Sequence, residues 1–219
     1  MKNKLELDSI ADNNEHKDSK RPGRPLSNVL DEAIIQSTLD VFSEVGYDAL
    51  SIAEIARRAG ATPPAIYRRY SGKLNLVLYA LSREFGTLHF CVVENVSLKN
   101  DLFAFMNEVM KALTPKRIRI FAGILLASRD NHQLADLMAE KLNEAGNAAW
   151  EKMISNAHAR GELNYTMVPK IVWELPMSFI ITRLLFGRKR PDDGDIREFI
   201  NSVMLPTLQN KVAGDEGDI

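Results

Sequence analysis

Five basic side chains stand between residues 57 and 73, namely Arg57, Arg58, Arg68, Arg69 and Lys73, and this stretch has no Asp or Glu. Cations gathered this closely suit a polyanion such as nucleic acid, whose phosphates supply affinity and steer encounter. A second basic group, Lys17, Lys20, Arg21 and Arg24, precedes them with only Asp18 in opposition. The chain as a whole is not basic, with a net charge of −1 and a pI near 6.4. That total conceals a gradient, because Asp192, Asp193, Asp195, Glu198, Asp215, Glu216 and Asp218 load the other end with negative charge. The acidic end reads as a solvated face.

Other chemistries find little support. His16, His89, His132 and His158 show no metal-ligand spacing, and HExxH, GxSxG, CxxC and P-loop patterns are missing from the sequence. No enzyme activity, metal or cofactor is therefore expected. The single cysteine, Cys91, excludes an internal disulfide framework, and its neighbours Phe90 and Val92 suit an inert buried thiol better than a redox sensor. The longest apolar stretch, Ile120 to Ala127, falls far short of the roughly 20 residues that cross a bilayer. Met1 to Lys20 has no apolar run that would make a signal peptide, so a cytoplasmic protein is expected.

The elements that must position the basic residues are helices. Leu30, Ile34, Val41 and Val45, with Phe42 beside them, recur at helical spacing, and Gly46 stands where a C-terminal cap is wanted. Ser51 then serves as an N-cap, with Glu54 completing a capping box. Ile52, Ile55, Ala56 and Ala59 give that short helix an inward face, and Gly60 ends it. Thr62 caps a third helix whose first turn accepts Pro63 and Pro64, since N–H groups there lack helical partners. Ile66, with Tyr67 and Tyr70 near it, is left to supply the apolar contacts. Beyond Lys73 the pattern stays helical over about 74–93, 102–113, 116–128, 133–159, 168–187 and 195–209, with breakers between. The expected fold is all-α, an N-terminal three-helix bundle followed by a larger helical domain. Its divisions are a basic arm over 1–26, a small helical unit over 27–80, a larger helical unit over 81–210 and an acidic tail over 211–219.

Ser51 to Tyr70 has the layout of a helix-turn-helix, in which a second helix enters the major groove while the first crosses the backbone. Small residues at Ala56, Ala59, Gly60 and Ala61 let the two helices approach closely. On these residues alone, double-stranded DNA binding and an ordinary packing hairpin both stand open.

The stretches Ala33 to Phe42 and GYDALSIAEIARRAGATPPAIYRRYSGKLNLVLYAL, from Gly46 to Leu81, resemble the TetR family of bacterial regulators. The matching features are the Gly-Tyr after the first helix, IAxxAG in the second, and an Ile-Tyr-Arg-x-Tyr reading helix followed by a Lys. The resemblance implies a DNA-binding regulator, commonly a repressor. It places Thr62, Pro63, Ala65 and Arg68 nearest base edges, and Tyr67, Arg69, Lys73 and Ser51 against phosphates. Tyr67 packing on the first helix and Ser51 acting only as a cap remain alternatives. Two departures stand out. Pro63-Pro64 replaces the family's usual polar or glycine-containing pair, and Arg69 stands where the family often has His. Prolines cannot donate hydrogen bonds, so reading leans on thymine methyls and on Arg68, which can grip guanine through two bonds. The arm Lys20-Arg21-Pro22-Gly23-Arg24-Pro25 partly resembles an AT-hook, which would lay Arg21 and Arg24 in a narrow A·T-rich minor groove.

In that family the C-terminal part forms a homodimer interface and often a small-molecule pocket. The dimerising pair would fall on 168–187 and 195–209, whose apolar residues cover more than one face and must be buried by something. A monomer core would also bury them. Candidate pocket residues are Phe103, Phe121, Trp150, Trp173 and Met177, with Met106 and Met153 beside them and His89 as a polar anchor. Such aromatic and Met sets are more often core.

Overall fold

The computed structural model describes residues 26–90, 97–187 and 189–210, with Leu26 and Ser27 by backbone alone. The basic arm with Arg21 and Arg24, Cys91 and the tail over 211–219 lie outside the described residues.

Helix α1, Leu26–Ala49, buries Ile34, Ile35, Leu39, Val41 and Phe42. Gly46 interrupts it at φ 73°, ψ −176°, a conformation glycine adopts without a Cβ penalty. The break corrects one expectation. Val45 is 50% exposed, because the chain beyond Gly46 turns Tyr47 and Leu50 into the core in its place.

Helix α2, Ile52–Ala59, begins at Ser51, whose Oγ accepts the Glu54 N–H at 3.3 Å. Only this half of the expected capping box forms, because the Glu54 carboxylate turns instead to Arg57 and Arg58. Gly60 closes α2 in the left-handed region at φ 64°, and the Ala61 N–H reaches back to the Ala56 carbonyl at 2.9 Å. Helix α3, Pro63–Tyr67, starts from Thr62, whose carbonyl accepts from Ala65 at 2.9 Å and Ile66 at 3.2 Å. Helix α4, Lys73–Phe85, buries Leu76, Val77, Ala80, Leu81 and Phe85 and stops at Gly86, short of the extent the periodicity suggested.

The remaining helices are α5 (Leu98–Ala112), α6 (Pro115–Ala127), α7 (His132–Ala159), α8 (Lys170–Phe186), α9 (Asp193–Phe199) and α10 (Leu205–Gln209). A π-turn over Ile200–Met204 joins the last two, with the Leu205 N–H bonding the Ile200 carbonyl. Pro206 follows at once; it has no N–H and its ring crowds the carbonyl four residues back, so a widened turn lets the helix continue past it.

Two hydrophobic cores result. The first joins α1 to α4 with Ile120, Ile124 and Ala127 of α6 and Leu134, Met138 and Ala145 of α7. The second joins α5, the later half of α7, α8, α9 and the C-terminal turns. The seam between the N-terminal helices and the rest is tight at Gly123 on α6, where a Cβ would stand 2.9 Å from the Phe42 ring. Arg117 on α6 also bonds the Glu84 carboxylate of α4 at 2.7 Å, and Lys116 pairs with Asp40 of α1 at 2.7 Å.

Candidate nucleic-acid interface

Ile66 decides which way α3 faces. Its side chain is buried against the core of the small bundle, a contribution of roughly 1.5–3 kcal/mol for an aliphatic residue of this size. On a five-residue helix that anchor leaves Thr62, Pro63, Pro64, Tyr67 and Arg68 on the open side, with Ala65 half-buried between them. Tyr67 is 55% exposed. The Thr62 hydroxyl makes no capping bond. The Arg68 side chain is exposed and forms no hydrogen bond or ion pair among the described residues, only its backbone N–H being engaged, by the Pro64 carbonyl at 3.1 Å.

The other cations are held. Arg58 reaches from α2 to both carboxylate oxygens of Glu44 on α1, at 2.8 Å each, and also bonds Glu54 at 2.7 Å. Arg57 grips the same Glu54 at 2.7 and 2.8 Å. The hydrogen bonds from Arg57 and then Arg58 push the Glu54 carboxyl down to about 2, and Arg58 likewise lowers that of Glu44. Arg69 bonds Asp31 of α1 at 2.5 Å and the Ala65 carbonyl at 3.1 Å. Lys73 donates to the Asp48 carbonyl at 3.0 Å and sits 4.6 Å from the centre of the Tyr47 ring. Sequence reading missed Glu44 and Asp31 as partners because they lie 14 and 38 residues away along the chain. The Ser51 hydroxyl accepts from Glu54 but keeps its own proton to donate, at the exposed start of α2.

The larger domain holds a cavity of about 470 Å³ bounded by α5, α7 and α8. Trp150, Trp173 and Met177 line it, joined by Phe90 and Phe105. The other candidates lie elsewhere. Phe103 lies under the Arg197 guanidinium, 3.9 Å from ring centre to carbon. Phe121 packs edge-on against Phe85 at 5.2 Å and touches only a crevice of about 10 Å³. Met106 and Met153 are sealed in the second core, and His89 is exposed, its Nδ1 2.6 Å from the neighbouring Leu88 carbonyl. Asn143 and Asn147 of α7 and Ser178 and Thr182 of α8 also line the cavity. The signal available in the sequence was their spacing of four, which puts each pair on one helix face, and for Ser178 and Thr182 their place in the largely apolar α8. On the outside of α8, Ile171 is 70% and Phe186 81% exposed.

A short capped helix, a left-handed glycine turn and an exposed reading helix define a helix-turn-helix DNA-binding protein. Residues 34–80 match the family described as bacterial regulatory proteins, tetR family. Residues 93–203 match the tetracyclin repressor-like C-terminal domain. The chain belongs to the TetR family and is a DNA-binding transcriptional regulator. It is similar to an HTH-type transcriptional regulator of Mycobacterium tuberculosis, 26% identical over 80% of this chain and 86% of that protein. A DNA-binding transcriptional repressor, TetR, of Mycobacteroides abscessus is 25% identical over 81% of this chain and 93% of its own. Among solved structures, Salmonella enterica GusR superposes with a TM-score of 0.68 at 18% identity, covering 86% of this chain and 98% of that one. FadR from Bacillus subtilis in complex with stearoyl-CoA gives 0.62 at 16% identity, covering 82% and 98%. At such identities the structures establish the fold.

Proposed function

We propose that the protein works in the cytoplasm as a homodimeric repressor that reads an inverted-repeat operator with α3 and leaves it when a small molecule fills the cavity. The observation that carries the reading is the orientation of α3. Ile66 is inside, while Thr62, Pro63, Tyr67 and Arg68 are outside and the Arg68 side chain is unengaged among the described residues. In this division, 27–80 reads DNA and 81–210 dimerises and binds the effector.

Arg68 is assigned to a guanine edge, and Thr62, Pro63 and Ala65 to contacts with thymine methyls and neighbouring base edges. Tyr67, Lys73, Arg69 and the Ser51 hydroxyl, together with the start of α2, are assigned to phosphates. Arg21 and Arg24 are assigned to the flanking minor groove. The exposed apolar residues of α8, with the α9–α10 segment beside it, supply the face for a second copy, which would set two reading helices about 34–36 Å apart on successive major grooves. The repressor named among the relatives and the ligand-bound FadR neighbour support repression and ligand control.

Footprinting on the DNA beside the protein's own gene tests the reading, followed by titration of Arg68→Ala on the protected site. The expected result is loss of discrimination at one or two base pairs, worth roughly 1–3 kcal/mol per half-site, with little change on random duplex. Equal losses on operator and random DNA would remove Arg68 from base reading.

A further inference from the structure

Four aromatic rings form a continuous run along the cavity wall. Phe90 meets Phe105 edge-on at 5.6 Å, and Phe105 meets Trp150 at 5.6 Å. Trp150 in turn lies nearly parallel to Trp173, at 7° and 6.3 Å. All four line the cavity. Such a wall favours ring systems, which gain from offset or edge contacts beyond the area they bury. Helix α8 stands off α7 here, whereas α5 packs closely on it, so the space lies between elements and not inside one tight core.

Charge is kept out of this space. Among the described lining residues only Lys170 and Glu174 are ionic; they face each other at 4.0 Å, one turn apart on α8, and both are well over half exposed. They mark the rim and largely cancel. The remaining polar lining consists of neutral amides and hydroxyls, Asn143, Asn147, Ser178 and Thr182. An anion drawn into this cavity would leave water without meeting an unspent cation, a cost that neutral dipoles do not offset. One further donor lies in the wall, the Trp173 Nε1–H, buried and without an acceptor among the described residues. A ligand carbonyl that the ring turns to meet would relieve it.

We infer, resting on the effector reading above, that the cavity takes an uncharged, predominantly aromatic molecule with one or two neutral hydrogen-bonding groups, and discriminates against carboxylates and polyanions. The coenzyme A ester held by the FadR neighbour belongs to the class this cavity rejects.

The protein has two tryptophans, and both stand in the cavity wall, so their emission reports on this site. The dimeric full-length protein is titrated with a matched pair, 2-acetylnaphthalene and 2-naphthoate, and separately with stearoyl-CoA, while operator binding is followed by anisotropy on the same preparation. Saturable quenching by 2-acetylnaphthalene is expected at a concentration about tenfold or more below that for 2-naphthoate, with stearoyl-CoA inert. Gly146→Leu supplies the blocked site. A Cβ there meets only Trp150 Cδ1 at 3.9 Å, and leucine favours the helix over glycine, so melting should hold while quenching is lost. Equal or tighter binding of 2-naphthoate or stearoyl-CoA overturns the inference, as does quenching unaltered by Gly146→Leu or none by the neutral probe. If operator binding persists in those cases, the DNA-reading role survives. If 2-acetylnaphthalene binds as expected but the operator complex is undisturbed, ligand release fails while the ligand class stands.

Discussion

Around α2 and α3 most cations are tied to another element, whereas α7 and α8 hold a cavity of about 470 Å³ between them. The small bundle is cross-braced by Arg58 to Glu44, Arg69 to Asp31 and Arg83 to Glu32, each linking back to α1. The larger domain has its own brace from Arg160 to Asp101 of α5, but it also carries a proline inside α8, a π-turn before α10 and, at Ile171 and Phe186, apolar side chains largely in the open. The contrast follows from what each half must meet. Duplex DNA presents phosphates at fixed spacing, so the surface that docks on it gains from rigidity. A half that reports a ligand needs a second arrangement within reach, and close packing everywhere would deny it one.

The largest effect should come from breaking the open face of the second half. Ile171→Glu combined with Phe186→Glu places charges on two exposed positions of α8, so the fold should survive. Sedimentation should then show a monomer at micromolar concentration, and operator affinity should fall by about a hundredfold or more as the second reading head is lost. A dimer that persists would move the interface off α8.

The seam between the halves gives an intermediate effect. Gly123→Ala puts a methyl 2.9 Å from the ring of Phe42, which is itself sealed in the first core and has little room to yield. Overpacking of this kind typically costs about 1–3 kcal/mol, readable as a lower denaturant midpoint. If α6 is displaced along α1 to make room, operator affinity should fall as well, even though residue 123 lies in α6, well beyond the helix-turn-helix in sequence.

The small bundle was largely legible in the sequence because its devices are local: Ser51 before α2, Gly60 after it, and Ile66 set within exposed neighbours all act across a few residues. What escaped was long-range. Nothing near Arg58 or Arg69 announces Glu44 or Asp31, so a stretch that reads as uncompensated charge is in fact heavily paired. In the second half, helices were visible from apolar period, yet period does not say whether an aromatic faces a neighbour or a void. Trp150 and Trp173 reach the cavity, while Phe103 and Phe121, of the same chemistry, do not.

The smallest effect concerns Asp31, and it asks whether the braces of the small bundle are only braces. Asp31 holds Arg69 against α1 at 2.5 Å, and both side chains are partly solvated, so the pair is worth no more than about 0–1 kcal/mol of stability. Asp31→Asn should therefore leave the melting temperature nearly unchanged. Its consequence should appear on DNA instead. The substitution removes a negative charge close to the docking face and releases a guanidinium that the family resemblance assigns to a phosphate. Affinity for random duplex should rise, and the log–log salt slope should steepen by about 0.9 per subunit, the increment for one added phosphate contact. Adding Arg69→Ala to Asp31→Asn should abolish both gains. If instead Asp31→Asn and Arg69→Ala weaken operator binding equally with no change in slope, Arg69 serves to hold α3 on α1 and the phosphate contact must be reassigned.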